Sequence, residues 1–370
     1  MAGRQTTGIR VGDVSDVLER IAPLSLAAEW DNVGLLIGQP DAPVRRLILT
    51  IDLTEDVLDE VVRAGAEMVM AYHPVIFKPI SRVSGVVLSA AQAGVAVYSM
   101  HTALDAAAGG TNDVLAEAIG IAGARPLQPQ AGEPECKLVV FVPERDLAAV
   151  TEAAFGAGAG RMGRYTECAF RTPGTGTFRG EPGSRPAVGR PGRREEVQEW
   201  RVEMVCPRDR LGEVLSAVRA AHSYETPAID VVPLAAAPGP LGMGRIGRLK
   251  RPMEVSRFVG QVKRALGVRR ILRAGRDSGK VGLVACAAGS AGSLYEAALA
   301  AEADAYVTGE MRHHDALAAA AAENRMMVLC VGHTNSERPV LAKLADRLRR
   351  ELPALQVSLS RFDRDPFRIA

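Results

Sequence analysis

Two short stretches of the sequence place a histidine and a carboxylate four residues apart, each directly after an apolar run. The first stretch, Val95 to Asp105, ends in His-Thr-Ala-Leu-Asp, and the second, Val328 to Glu337, ends in His-Thr-Asn-Ser-Glu. A single His-Thr-x-x-acid pattern is easily met by chance. Two such patterns, each after a β-type run, indicate two halves of one site.

The pairs His101 with Asp105 and His333 with Glu337 offer imidazole and carboxylate ligands for a metal ion. Mixed ligation of this kind suits zinc, manganese, iron or cobalt better than calcium, which takes oxygen ligands. A carboxylate can also bridge two ions, and paired ions roughly 3.5 to 4 Å apart activate water for hydrolysis. These residues therefore predict a divalent-metal site of hydrolytic chemistry.

The remaining four histidines divide into three groups. His73 follows an apolar run, like the two histidines above, so we expect it at the same site. His313 and His314 follow Gly309-Glu310 and are more typical of a solvated or capping helix start than of metal ligands. His222 lies in a different part of the chain and is expected to have a structural role.

The segment Trp30-Asp-Asn-Val-Gly precedes a short apolar run. Two interpretations remain open for it. The segment either forms a plain turn into a strand, or it directs Asp31 and Asn32 at a site.

Strands alternate with helices in the same order in both terminal parts of the chain. A helix is predicted over residues 13–22. The N-terminal part then predicts strands at Leu47–Ile51 and Glu67–Ala71 and helices at Glu55–Ala64 and Ser89–Gly94, before the first His-Thr turn. The C-terminal part predicts strands at Lys280–Cys286, Ala303–Thr308 and Met326–Val331 and helices at Ser290–Ala301 and Asp315–Glu323, before the second.

This repeated order indicates an internal duplication of α/β units. Strands that alternate with helices of this length predict a largely parallel sheet covered on both faces. Ligands collect beyond the carboxyl ends of the strands in such sheets, and both His-Thr turns lie there. We therefore expect one duplicated three-layer α/β domain, formed by residues 1–130 and 241–370.

The segment between the two halves has a different pattern, β-α-β-β-α-β, which is that of a ferredoxin-like α+β unit. Its strands are predicted at Leu138–Val142, Tyr165–Arg171, Glu199–Val205 and Ile229–Pro233, and its helices at Leu147–Phe155 and Leu211–Ala221. Linkers rich in Pro or Ala, residues 125–134 and 235–240, flank it. Residues 137–234 are therefore expected to form an inserted domain.

Within this insert, residues 160–194 are rich in Gly, Pro and Arg and hold eight arginines. Two interpretations are open. The segment is either a solvated hairpin tip, or a loop that steers anionic ligands through its clustered guanidinium groups.

Composition bears on several classes of function. A net charge of +2 and 4% aromatic residues give no support for a nucleic-acid partner. No apolar run reaches the roughly 18 residues of a membrane span, and the N-terminal residues lack the apolar region of a signal peptide. The five cysteines are an odd number without a Cys-x-x-Cys pair, which fits a reducing compartment. We expect a soluble, cytoplasmic protein without a membrane partner.

The sequence resembles the dinuclear-metal family called GTP cyclohydrolase I type 2, or the NIF-three-like family. The resemblance rests on Trp30-Asp-Asn-Val-Gly, His73-Pro, His101-Thr-x-Leu-Asp105, Gly242-x-Gly-Arg-Ile-Gly247, Thr308-Gly-Glu and Gly332-His-Thr-x-Ser-Glu337. The insert is similar to the PII- or CutA-like domain of longer members, through Gly160-x-x-Gly-x-Tyr-x-x-Cys168, Gly174-x-Gly-x-Phe178 and His222-x-Tyr-Glu-x-Pro227. The resemblance implies a toroidal homohexamer that encloses the metal sites, with the inserted domains trimerising as lids.

The resemblance also implies a ligand set, carried over by position. Its members are the residue before His73, then His73 itself, Asp105, His333 and Glu337, with Glu337 bridging two ions. His101 would contact water or substrate and move a proton. The family usually has His-His-Pro where this chain has Tyr72-His73-Pro74. Because a phenol with a pKa near 10 is a poor ligand at neutral pH, one metal position is weak, empty or differently coordinated.

Three functions remain open. The leading hypothesis, implied by the resemblance, is a hydrolase in which one or two zinc, manganese, iron or cobalt ions activate water for attack on a phosphorylated or purine-type substrate such as GTP. The second is a non-catalytic metal-storing or metal-sensing assembly, in which the insert reports ligand binding. The third, a nucleic-acid binder through Arg190, Arg193 and Arg194, predicts affinity that falls steeply with salt.

Overall fold

The computed structural model describes residues 8–131, 135–235, 238–321 and 326–368. The described chain forms two compact units, Met1–Gln130 with Pro240–Ala370, and Ala131–Gly239. Parts of the expected linkers (132–134 and 236–237), the end of the helix expected at Asp315–Glu323, and the first seven residues lie outside the described ranges. Within these ranges, no helix has the length and apolar character needed to cross a bilayer.

The N-terminal part of the first unit alternates strands and helices. Its elements are α1 (Val11–Ile21), β1 (Gly34–Ile37), β2 (Arg46–Thr50), α2 (Glu55–Arg63), β3 (Met68–Ala71), α3 (Gly85–Gln92), β4 (Ala96–Ser99), α4 (His101–Ala106), α5 (Thr111–Ala118) and β5 (Ile121–Ala131). Thr54 caps α2, because its hydroxyl accepts a hydrogen bond from Val57 N. α1 begins earlier than predicted, since Asp13 lies in its first turn and accepts a hydrogen bond from Arg10 N (2.7 Å).

The second unit is an antiparallel sheet packed against two helices. It comprises β6 (Glu135–Pro143), α6 (Leu147–Gly156), β7 (Phe170–Arg179), β8 (Arg194–Pro207), α7 (Leu211–Ala221) and β9 (Ile229–Pro233). The strand order β7-β8-β6-β9 is that of a ferredoxin-like unit. β7 was expected to begin near Tyr165 and β8 at Glu199. Both strands continue into the Arg-rich segment, where they pair from Phe170 with Glu203 to Arg179 with Arg194.

The C-terminal part of the chain completes the first unit. Its elements are β10 (Pro238–Glu254), α8 (Val255–Leu266), β11 (Leu272–Gly275), β12 (Lys280–Ala287), α9 (Tyr295–Ala300), β13 (Ala305–Thr308), α10 (His313–Ala319), β14 (Met327–Cys330), α11 (His333–Glu337), α12 (Pro339–Glu351) and β15 (Gln356–Leu359). A short 3-10 turn at Gly292–Leu294 replaces the start of the helix expected from Ser290. Both His-Thr patterns therefore open short helices, α4 and α11, directly after a strand.

The first unit contains two sheets rather than the one largely parallel sheet that was predicted. Their strand orders are β1-β4-β3-β2-β15 and β11-β14-β13-β12-β10-β5. In the first sheet β4, β3, β2 and β15 are parallel and β1 is antiparallel. In the second, β12, β13 and β14 are parallel, with β10 and β11 antiparallel to them. Each half thus contains three parallel strands that are consecutive in the chain, β2 to β4 and β12 to β14, as the repeat predicted.

Alternating side chains bury both faces of each sheet. In β2, Leu47 and Leu49 join one apolar cluster and Ile48 joins the cluster on the opposite face. In β12, Cys286 joins one cluster and Ala285 the other, so Cys286 is a core residue. The architecture is a duplicated three-layer α/β domain with an inserted α+β unit, and it confirms the predicted fold class.

Candidate metal centre

The candidate site lies where parallel strands of the two sheets end. Asp52 follows β2 and His73 follows β3, while Glu310 follows β13 and α11 begins immediately after β14. Loops at the carboxyl ends of parallel strands lie next to one another. Side chains from both halves of the duplicated unit can therefore reach one centre.

Three side chains, His73, His333 and Glu337, are grouped closely enough to hold a metal ion. One ligand atom from each lies within 4.8 Å of the others. His73 Nε2 lies 3.4 Å from Glu337 Oε2, and His333 Nε2 lies 3.2 Å from Glu337 Oε1. The second distance follows from helix α11, because residues four apart share one face of a helix.

The outer nitrogens of both imidazoles are held by carboxylates. His73 Nδ1 lies 2.8 Å from Asp52 Oδ1, and His333 Nδ1 pairs with Glu310 Oε1. Such pairing fixes the ring orientation and makes the other nitrogen a better ligand. Both Nε2 atoms consequently point to Glu337.

The electrostatics of the group are dominated by Glu337, whose side chain is 3% exposed. Burial opposes protonation of His73, but the Asp52 and Glu337 carboxylates outweigh it and raise the pKa of His73 to about 10. Glu337 similarly raises the pKa of His333 to about 9, against burial. Burial would raise the pKa of Glu337, yet the two histidines hold it below its usual value. This carboxylate is therefore ionised at neutral pH.

The donor set fits a divalent transition-metal ion. Glu337 Oε2 is buried and makes no hydrogen bond within the described chain, so it has an unused lone pair beside two imidazoles. Gly289, with φ of +68°, lets the backbone pass close to it, because a Cβ there would lie 2.5 Å from Glu337 Oε1. Two imidazoles and one carboxylate are ligands that zinc, manganese, iron and cobalt accept.

Asp105 lies outside this three-residue group and belongs to a neighbouring hydrogen-bonded cluster. The Tyr72 hydroxyl donates to Asp105 Oδ1, and Thr111 Oγ1 donates to the Tyr72 hydroxyl (3.3 Å). Burial raises the pKa of Asp105 to about 6. Burial, and then the charges of Asp105 and Glu337, raise the pKa of Tyr72 well above 10. Tyr72 is therefore a neutral phenol that donates to Asp105.

His101 faces Asp31 rather than Asp105. Its Nδ1 lies 2.8 Å from Asp31 Oδ1, and Thr102 N donates to Asp31 Oδ2 (3.1 Å). Burial would raise the pKa of Asp31, but His101 and Thr102 outweigh it and lower the pKa. His101 has φ of +30°, which non-glycine residues rarely adopt and which is often found at functional sites. Its ring centroid lies 5.4 Å from that of His73.

One cavity of about 680 Å³ is lined by His73, His101, Asp105, His333 and Glu337. Trp30 and Phe77 line it with largely exposed rings, 62% and 47% accessible, whose centroids are 5.7 Å apart. Gln128 and Gln130 add amide groups. No lysine or arginine occurs among the described residues that line this cavity. It therefore combines an aromatic rim with an imidazole and carboxylate floor.

The other histidines named by the sequence are not among the residues that line this cavity. His313 and His314 are exposed at the start of α10 with ring centroids 5.4 Å apart. His222, in the second unit, is buried and has two backbone contacts: Nε2 lies 3.0 Å from Phe141 O, and Tyr224 N donates to Nδ1. Its contacts are those of a structural residue.

The sequence patterns predict no role for Asp52 or Glu310, and they leave the role of Asp31 open. All three hold a histidine of the centre by its Nδ1 atom. Asp52 and Glu310 both follow the carboxyl end of a parallel strand, as His73 does, and this shared position is the signal that could have found them. Asn32 instead donates to Ile76 O (2.5 Å).

Comparison with known proteins shows which family and which relatives this chain resembles in sequence. Residues 9–366 match the model of the Duf34/NIF3 (NGG1p interacting factor 3) family. The chain is 38% identical over 307 residues to a Halalkalibacterium halodurans protein named GTP cyclohydrolase 1 type 2 homolog, a match that spans 81% of this chain and 82% of that one. A Mycobacterium tuberculosis protein of the same name is 37% identical, with 98% and 97% of the two chains covered.

Solved structures show the same fold. A Bacillus cereus protein related to NIF3 is 33% identical, with a TM-score of 0.69, and the match covers 99% of this chain and 100% of that one. The likeness therefore extends over both units of the chain.

Proposed function

The chain belongs to the Duf34/NIF3 family, and from this membership and the geometry of the centre we propose that it is a divalent-metal-dependent hydrolase. Its substrate is a nucleotide or another phosphorylated molecule. GTP is the first candidate, because curated relatives are named GTP cyclohydrolase 1 type 2 homolog. The observation that carries the proposal is the convergence of His73, His333 and Glu337 in the lining of one cavity.

His73, His333 and Glu337 would hold the ion, with Asp52 and Glu310 orienting the two imidazoles. A divalent ion in this position supplies Lewis acidity, which activates water as a nucleophile and offsets the charge of a phosphate. Three protein ligands leave coordination positions for water and substrate, as in catalytic zinc sites.

His101 is the candidate proton shuttle. Asp31 holds its Nδ1 atom, so Nε2 is left to take or give a proton inside the cavity. This is the role of a histidine oriented by a carboxylate in general acid–base catalysis. The short distance between the rings of His101 and His73 supports the assignment.

The cavity wall supports a substrate that carries both a planar ring and negative charge. Trp30 and Phe77 present exposed rings on which a nucleobase can stack. Because lysine and arginine are absent from the described lining, positive charge at this site would come from the bound cation. Such a wall fits a nucleotide whose phosphates lie near the centre and whose base lies near the rim.

Assembly and location follow from family resemblance alone. We propose a cytoplasmic homohexamer in which the inserted PII-like domains trimerise. Size-exclusion chromatography with light scattering tests it: a mass six times that of one chain is expected, and a monomer would contradict it.

A nucleotide panel tests the activity. The protein is loaded with Zn²⁺, Mn²⁺, Fe²⁺ or Co²⁺ and incubated with nucleotides including GTP, and products are separated by chromatography. Turnover should be lost in Glu337→Gln and kept in Glu55→Gln, which alters an exposed carboxylate of α2. Bound metal without turnover of any substrate would contradict the hydrolase and favour the alternative, a non-catalytic metal-sensing assembly.

A further inference from the structure

We propose that this centre binds one divalent ion per chain, and that Tyr72 closes the position of a second ion by engaging Asp105. The proposal rests on the metal binding proposed above and goes beyond it, since it fixes the stoichiometry and assigns it to one side chain.

The first observation is that two buried carboxylates line the same cavity. Asp105 is 7% exposed and Glu337 is 3% exposed. A buried carboxylate needs a compensating cation or hydrogen-bond donors, because desolvation of an isolated charge is costly. The hydrogen-bond partners of each carboxylate therefore show which of its oxygen atoms are available to a metal ion.

The two carboxylates have different partners. Glu337 faces two imidazole Nε2 atoms and retains a buried oxygen without a hydrogen bond in the described chain. Asp105 Oδ1 accepts the Tyr72 hydroxyl, and the same residue's backbone carbonyl accepts Asn112 Nδ2 (2.9 Å). Glu337 therefore keeps one carboxylate oxygen that no hydrogen-bond donor occupies in the described chain, whereas the Asp105 oxygen that faces Tyr72 is occupied by the phenol hydroxyl.

Tyr72 is fixed in this position. Its side chain is fully buried, and its backbone N donates to Thr50 O (2.9 Å) at the end of β3. Ser99 Oγ donates to Tyr72 O (2.8 Å), which ties the residue to β4. The ring lies edge-on to those of His73 and His101, with centroids 5.2 and 5.9 Å away. The phenol is therefore buried beside two imidazoles, with its hydroxyl directed at Asp105.

Imidazole and phenol differ in how well they bind a metal ion at this position. A neutral imidazole presents a lone pair that zinc, iron and cobalt bind well, whereas a protonated phenol is a poor ligand. Replacing Tyr72 by histidine would remove the donor to Asp105 and add a nitrogen ligand next to it. The second position should then open, with Asp105 as one of its ligands.

Metal counting with Co²⁺ tests the proposal. Full-length protein is stripped with chelator, saturated with Co²⁺ and desalted, and cobalt per chain is measured by elemental analysis and by visible absorption during titration. Four proteins are compared: wild type, Tyr72→His, Asp105→Asn, and the double variant. Tyr72→Phe is added as a variant that keeps the ring packing but removes the hydroxyl.

We expect one cobalt per chain in wild type and two in Tyr72→His. Asp105→Asn should leave the single ion of wild type in place, because Asp105 is not a ligand there. In the double variant the count should return to one. Tyr72→Phe should bind the first ion as wild type does.

Other outcomes overturn the proposal. Two ions in wild type would show that Tyr72 does not close the second position, while the proposed metal site itself would stand. Loss of the wild-type ion in Asp105→Asn would show that Asp105 is a ligand of it. A count of one in a folded Tyr72→His protein would show that another feature sets the stoichiometry. No bound ion in wild type would overturn both this proposal and the proposed function.

Discussion

His73 and Glu337 come from opposite halves of a duplicated chain, and His73 Nε2 lies 3.4 Å from Glu337 Oε2. The contact exists because both residues follow the carboxyl ends of parallel strands in the two sheets. His333 completes the group from the same helix as Glu337. The centre is therefore a product of the whole first unit and not of a local motif.

Asp52 is expected to strengthen metal binding without touching the ion. Its carboxylate holds His73 Nδ1 at 2.8 Å, so Asp52→Asn leaves the imidazole less well oriented and less basic. The Kd for Zn²⁺, measured by competition with a chelating dye, should rise about 10- to 100-fold. Asp56→Asn, an exposed acid in α2, is the control and should bind as wild type does. An unchanged Kd in Asp52→Asn would argue against the orienting role.

Metal removal is expected to destabilise the protein. A ligand present at 100 times its Kd stabilises the folded state by about 2.7 kcal/mol. For a unit of this size, chelation should lower Tm by roughly 5 to 10 °C in differential scanning fluorimetry. Glu337→Gln should show no shift with chelator, because its metal site is lost. A Tm of wild type that is insensitive to both metal and chelator would contradict the metal centre.

Trp30 is expected to contribute to nucleotide binding but not to metal binding. Stacking of a base on an aromatic side chain is worth about 1–3 kcal/mol, so Trp30→Ala should weaken nucleotide binding about 5- to 150-fold. Isothermal titration calorimetry measures the affinity, and elemental analysis should give an unchanged metal content. Trp30→Phe should retain part of the affinity. Equal affinity in Trp30→Ala and wild type would show that the base does not stack there.

Arg245 is expected to be a structural residue of the first unit. Its guanidinium is buried, donates to Asp113 in α5 (Nη2 to Oδ2, 2.9 Å) and to the backbone oxygens of Gly242 and Gly244. Removing the guanidinium leaves the backbone oxygens of Gly242 and Gly244 without these donors, and an unsatisfied buried polar group costs about 1–3 kcal/mol. Arg245→Ala should lower the free energy of unfolding by this amount in urea denaturation.

Arg248 provides the control for that measurement. It is an exposed arginine of the same strand, β10, so Arg248→Ala should change the free energy of unfolding by less than about 0.5 kcal/mol. Similar losses in the two variants would show that burial of Arg245 is not the cause.

Much of the fold could be predicted from local pattern. Apolar runs that alternate with helical segments gave the repeated strands, because fully buried parallel strands are apolar along their length. The pairing of strands distant in sequence could not be predicted this way. β15 pairs with β2 in one sheet, and β5 pairs with β10 in another. The strands therefore form two sheets, where the sequence predicted one. Local periodicity holds no information about such partners.

The sequence predicts the histidines of the candidate site better than its carboxylates. His73 and His333 stand out because histidine is rare in this chain and both residues follow apolar runs. Asp52 does not stand out, since acids are common after strands. The place of Asp105 depends on the Tyr72 hydroxyl, a contact between residues on different elements that spacing alone does not reveal.

Anomalous X-ray diffraction from Co²⁺-loaded crystals tests the central claim most directly. Data collected at the cobalt absorption edge should show one strong peak per chain, about 2.0–2.2 Å from Nε2 of His73, from Nε2 of His333 and from a carboxylate oxygen of Glu337. A peak at other residues, or no peak between these three, would contradict the account.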